Sequence, residues 1–339
     1  MVTCHAFLFA HFTHSMFKTA TFFRISEDFV PPALQALEDA LQAARFAPCG
    51  PTQAQSHGWV APRGNKSAQL VESVAGQLIF KLCTERRPLP ASAVKAGVEE
   101  RIEKYKHETG LERVGSRMKK EFKEEVILDL LPRAFSKRSH TLVWLDPVNR
   151  FLVIDTASNT GADLVLTCLG EALAQVPGSR PDLGVRPVQT QMSATASMSL
   201  WLTEREAPGR FTVDRDCELK TPDAMKSSVR YSRHTLDIDE VALHIAQGKV
   251  PTQLALTWND RLSFVLNETA QIKKIQLLDV VMDGVQEGGK EDDGFDTDAA
   301  ILTGEMSALI PELLAALGGE MGDAQPVVEL ELEPALDAA

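Results

Sequence analysis

Apolar residues alternate with polar ones in several short windows of this chain and recur every third or fourth position in others, a pattern that predicts strands and helices in irregular succession. "MFKTATFFRIS", from Met16, reads as a first strand, and "GQLIFKLCTERRPLP" as a strand with a basic edge. Two alternating arms flank Asp146, Pro147 and Asn149 in "SHTLVWLDPVNRFLVIDTAS", which predicts a β-hairpin. "TQLALTWNDRLSFVLN" predicts another, turning at Asn259 and Asp260. Further strands are expected in "FTVDRDCELK", in "SSVRYSRHTL", which carries Arg230 and Arg233, and in "IKKIQLLDV".

Helical spacing marks "SEDFVPPALQALEDALQAARF", with acidic residues and prolines at its entry predicting a capped amphipathic helix. "ASAVKAGVEERIEKYKH" and "LERVGSRMKKEFKEEVILDLL" predict two helices interrupted near Gly110, with apolar stripes Val94, Val98, Ile102, Tyr105 and Val114, Met118, Phe122, Val126. Further helices are expected from about Gly161 to Ala174, in "MSATASMSLWLTE", in "IDEVALHIAQG" behind an Asp237/Glu240 capping box, and in the largely apolar "AAILTGEMSALIPELLAALGG". "FAPCGPTQAQSHGWVAPRG" reads as a loop and "GSRPDLG" as a linker. With antiparallel hairpins and no internal repeat, the predicted class is α+β, with mixed, largely antiparallel sheets.

Charge changes this picture. The net charge is −12, yet the stretch from Asp279 to Asp337 holds 16 acidic residues and one basic residue, Lys290, so the rest of the chain is slightly positive. Between Lys81 and Arg138 there are 15 basic and 10 acidic residues. A stripe of Arg113, Arg117 and Lys120 adjoins the second apolar stripe, although Arg117 with Glu121 and Lys120 with Glu124 are also ordinary i,i+4 pairs of a solvated helix.

Catalytic signatures are absent: there is no phosphate-binding glycine loop, no zinc-protease helix and no serine elbow. Cys4, His5, His11 and His14 match no zinc spacing, Cys49 and His57 lack an identifiable third group, and "GKEDDGFDTDAAILTGEM" lacks calcium-loop spacing and reads as an acidic loop entering the last helix. No cofactor or metal is expected. Five scattered cysteines, no CxxC pair, no secretory order at the N-terminus and no run of about 18 uninterrupted apolar residues point to the cytosol.

Five segments in order, "MFKTATFFRIS", "FAPCGPTQAQSHGWVAPRG", "LLPRAFSKRSHTLVWLDPVNRFLVIDTAS", "HIAQGKVPTQLALTW" and "ILTGEMSALIPELLAALGGE", resemble the bacterial recombination-associated RdgC family over residues 16 to about 320. The resemblance implies a non-enzymatic, nucleoid-associated protein that binds duplex DNA without sequence preference and restrains RecA-dependent strand exchange. It also implies a multi-domain subunit in a ring-shaped homodimer, whose positive inner surface would reconcile an acidic total with phosphate binding. On this reading the candidate DNA contacts are Arg117, Lys119, Lys120, Lys123, Arg133, Lys137 and Arg138 around the second helix and its exit, with Lys226, Arg230 and Arg233 further on. Phe135 resembles the aromatic that joins subunits at the tip of the ring, a core phenylalanine being the alternative. The expected organisation is an extension over 1–15, a central domain over 16–90 and 139–178, a helical tip over 91–138, a base domain over 179–320 and a mobile acidic tail over 321–339. Direct docking on recombinase through the acidic C-terminal surface is the competing expectation.

Overall fold

Strands form where alternation lets one sheet face bury apolar side chains. The computed structural model describes residues 16–176, 183–223, 227–236, 238–282 and 294–321. In chain order these form β1 (Thr19–Arg24), α1 (Leu34–Ala43), β2 (Gln55–Val60), β3 (Val71–Val74), β4 (Gln77–Arg86), α2 (Ala91–Thr109), α3 (Ser116–Leu130), β5 (Lys137–Asp146), β6 (Phe151–Ile154) and α4 (Asn159–Leu173). There follow β7 (Arg186–Pro187), α5 (Ala194–Glu204), β8 (Phe211–Lys220), β9 (Ser228–Tyr231), α6 (Asp239–Ala246), β10 (Val250–Trp258), β11 (Leu262–Asn267), β12 (Ile272–Leu277), α7 (Asp279–Met282) and α8 (Phe295–Ala316). The chain is thus α+β with a largely antiparallel arrangement of strands. The described residues divide into two compact units, one drawn from 16–186 and 271–304, the other from 187–270 and 305–321.

In the first unit the strand order is β2-β4-β5-β6-β1-β12, with β3 continuing along the β4 edge that β2 also uses. One face of this sheet carries Phe23, Trp59, Phe80, Leu82, Val143, Leu145, Leu152 and Ile154 into a core closed by Leu37 and Leu41 of α1 and Val165, Leu169 and Leu173 of α4. Each such side chain contributes about 1.5–3 kcal/mol on burial, so this layer holds the unit together. On the other face, Ile79 packs with Val74 and with Ala299 of α8. Farther along that face Lys81 and Cys83 of β4 lie opposite Leu142 and His140 of β5.

The first hairpin is pinned by Asp146, whose carboxylate accepts from the Val148 and Asn149 N–H groups at 3.0 Å each and from the Asn149 amide at 2.8 Å. In the second unit β11-β10-β8-β9 form an antiparallel sheet, and the predicted Asn259–Asp260 turn has both residues at φ of 52°. Trp258 donates to Glu312 at 2.8 Å there, while Glu312 also pairs with Arg210. By length and composition α8 is apolar enough to span a bilayer, but its Leu302, Met306, Leu309, Ile310, Leu313 and Leu314 are buried in protein.

Several expectations need correcting. The segment read as a loop before Gly64 contains β2, which exists because β4 offers it a complete ladder from Gln55↔Arg86 to Val60↔Lys81. Gly58 makes this possible: a Cβ there would lie 2.5 Å from the Phe46 Cα that crosses over it. β3, a four-residue strand, is missing from the sequence reading because so short a run carries little periodicity. α1 begins after both prolines with Ala33 at its N-cap and no side-chain cap, so its start rests on the prolines rather than on a carboxylate. α8 starts at Phe295, taking Asp296 and Asp298 into its first turn, where the helix dipole favours acidic groups, so these residues do not belong to a loop. Asp237, half of the predicted capping box, lies outside the described residues, as do residues 1–15 and the acidic tail from 322.

Candidate nucleic-acid interface

The two central helices pair along the stripes that their periodicity marks. Tyr105 meets Phe122 edge-to-face at 5.6 Å between ring centres. Gly97 lets the helices approach so closely that a Cβ in its place would sit 2.7 Å from Val126 Cγ1. Arg101 of α2 reaches across to Glu125 and Asp129 of α3. α2 ends at Gly110, whose φ of 70° lets its N–H bond the Lys106 carbonyl at 2.8 Å. Within α2 and α3 only Val126 is buried. The apolar stripes are therefore consumed by one helix–helix seam, and the remaining surface of this arm faces solvent.

That surface presents the predicted cations in two states. Arg117, its side chain 94% exposed, pairs with Glu121 at 3.1 Å, and Lys120 at 80% exposure pairs with Glu124 at 3.9 Å. Such exposed pairs contribute only about 0.3–0.5 kcal/mol. Lys119, Lys123, Arg133 and Lys137 are exposed and have no carboxylate partner among the described residues. Lys119 and Lys123 are one helical turn apart, so they extend along a single line of α3.

Arg138 differs. Its Nε donates to Glu85 Oε2 at 2.6 Å, and its guanidinium lies over the Phe46 ring at 5.2 Å. Glu85 is buried, and chiefly through the hydrogen bond from Arg138 its carboxyl is held below the usual carboxylate range. Arg138 thus neutralises a carboxylate of its own chain.

Arg230 is exposed on β9 opposite Glu218. Arg233 falls beyond that strand, in a bend with φ of 54°, its N–H bonded to Asp216 at 2.7 Å. Both belong to the second unit. Lys226 lies outside the described residues.

Phe135 is 93% exposed, which removes the core alternative. It follows a short 3-10 turn, Leu131–Arg133, whose Leu131 is buried and anchors the exit of the arm. In sequence Phe135 stands between the exposed Arg133 and Lys137.

Cys49 is buried and donates to the Glu85 carbonyl at 3.7 Å, and burial pushes its pKa up. His57 is exposed on β2. Among the described residues no three His, Cys, Asp or Glu side chains come together as metal ligands.

Comparison with known proteins places this geometry in context. The family model described as "Putative exonuclease, RdgC" matches residues 16–320. The recombination-associated protein RdgC of Dechloromonas aromatica is 40% identical over 296 residues, covering 86% of this chain and 94% of that protein. Its counterpart in a Janthinobacterium species is 38% identical over 306 residues, with 90% and 98% coverage. That of Cupriavidus necator is 40% identical over 285 residues, with 84% and 92% coverage. With a match of this extent running from the first strand through the last helix, the chain belongs to the RdgC family.

Proposed function

We propose that this protein binds duplex DNA without reading its sequence, encircles it as a ring-shaped homodimer, and restrains RecA-dependent strand exchange by occupying the duplex. The observation that carries the reading is the set of exposed cations on the arm and its exit, Lys119, Lys123, Arg133 and Lys137, without carboxylate partners among the described residues of an otherwise acidic chain. Lysines and arginines so placed neutralise phosphates and do not discriminate bases. Membership in a family whose relatives are named recombination-associated supports the same conclusion. Phe135, exposed beside this group, is the contact proposed to join two copies. The protein acts without catalysis, in the cytoplasm on the nucleoid.

The test is binding to an unspecific duplex across a salt series, with oligomeric state measured in the same samples. Log K falling with log salt by ~0.9 per phosphate, from an intact dimer, is the expected result. No binding at low salt would sink the proposal. The acid-rich stretch after Asp279 favours a second reading, direct docking on recombinase, which would survive without DNA. The wording of the family description raises a third, an exonuclease; loss of end-labelled duplex on adding magnesium would replace occlusion by cleavage.

A further inference from the structure

Beside the segment that follows β2, the β4–β5 sheet face at Lys81 and His140 opens into a cavity of about 650 Å³. Its lining includes Arg45, Lys66, Lys81 and His140, with Asn65 and Ser67 as neutral donors, and no carboxylate lines it. Pairing of β4 with β5 brings Lys81 and His140 onto one face, because Lys81 opposes Leu142 and Cys83 opposes His140. Arg45 comes from the crossing that Gly58 permits, its backbone bridged to Trp59.

Several carboxylates near these residues in the sequence are engaged elsewhere. Glu38 accepts from the Leu70 and Val71 N–H groups at 2.9–3.0 Å. Glu72 pairs with Arg63 at 3.0 Å, and Glu85 with Arg138 at 2.6 Å. Among the described residues Lys81 donates to the Pro62 carbonyl and has no carboxylate partner. Arg45 bonds the neutral Gln42 amide at 3.2 Å. Burial lowers the pKa of Lys81, and burial with the nearby charges of Lys81 and Arg138 lowers that of His140. Positive charge has been gathered on a partly desolvated surface with no counter-charge supplied by the described chain, which is the condition an incoming anion relieves. Apart from the His140 imidazole no aromatic ring lines the cavity for a base to stack upon, while four basic side chains do, so the chemistry favours phosphate over base.

We infer that this cavity is a phosphate-binding pocket, separate from the helical arm, in which Arg45 and Lys66 at the exposed rim and Lys81 and His140 on the sheet face hold a phosphate of the bound nucleic acid. The assignment to nucleic acid rests on the function proposed above; the pocket as a phosphate site does not.

The test uses the full chain and Arg45→Glu/Lys66→Glu, two exposed positions whose change leaves the sheet intact, with melting temperature as the control for folding. Three probes are titrated: inorganic phosphate, an unspecific duplex with 5′-hydroxyl ends and the same duplex with 5′-phosphates. Millimolar phosphate should move the His140 imidazole resonance in the native chain and not in the variant. The variant should bind the 5′-hydroxyl duplex at least tenfold more weakly, with a salt slope smaller by about 1–2. Loss of affinity only with 5′-phosphorylated ends would assign the pocket to a terminal phosphate. A His140 response to phosphate with unchanged DNA binding would keep the pocket but give it a small phosphate ligand, detaching it from DNA. No His140 response to any probe, with equal duplex affinity in both proteins, overturns the inference. Should the native chain fail to bind either duplex yet show the phosphate response, the function proposed above falls while the pocket stands.

Discussion

The helical arm and the sheet of the first unit are built from similar amounts of chain and opposite logic. β4 and β5 bury Phe80, Leu82, Val143 and Leu145 beneath two helices, and even their charged Glu85 is buried with a partner. α2 and α3 bury Val126 alone, and most of their charges face water. The sheet gains its order from apolar area removed from water, whereas the arm is held by one narrow seam and by its attachment to β4 and β5. A surface that contributes so little to stability is free to carry charge for another purpose.

This contrast can be broken from either side. Phe80→Ala, in the sheet core, should cost about 3–5 kcal/mol and lower the denaturation midpoint of the whole unit. If it proves as mild as a surface change, the sheet is not the stabilising layer. Gly97→Val should force α2 and α3 apart at a cost of about 1–3 kcal/mol. Hydrogen exchange should then quicken over 91–130 while β4 and β5 stay protected; uniform loss of protection would show the arm and sheet unfolding as one.

The triple change Lys119→Glu, Lys120→Glu and Lys123→Glu should leave melting unchanged within about 0.5 kcal/mol and weaken duplex binding at least tenfold at low salt. Unchanged affinity would remove α3 from the interface. A subtler difference is pH dependence. The folded carboxyl of Glu85 titrates below its unfolded range because Arg138 bonds its ionised form. The resulting stability is therefore fully present above the unfolded pKa of about 4.3 and lost as pH falls through the lower folded value. Glu85→Gln should flatten that acid limb in a series of melting curves; an identical limb would assign it to other carboxylates. Phe135→Ala should have the smallest effect on folding, near zero, and register instead as a lower dimer fraction in sedimentation.

Legibility differed between the same two regions. The seam of the arm was written in the sequence, since Tyr105, Phe122 and Val126 recur at helical spacing and meet as that spacing requires. The two hairpins were equally plain, because alternation and turn residues are local properties. β2 was not, because its ladder, from Val60↔Lys81 to Gln55↔Arg86, depends on a strand distant in sequence and on Phe46 passing over Gly58.

The basic candidates show the same limit. Sequence determined that cations cluster between Lys81 and Arg138, for that is counting. Only the tertiary structure decided that Arg138 is neutralised by Glu85, that Phe135 is exposed, and that Arg45, Lys66, Lys81 and His140 line one cavity. Charge and periodicity belong to the chain, but whether a charge has a partner is settled by which distant strands pair, and no local spacing records that.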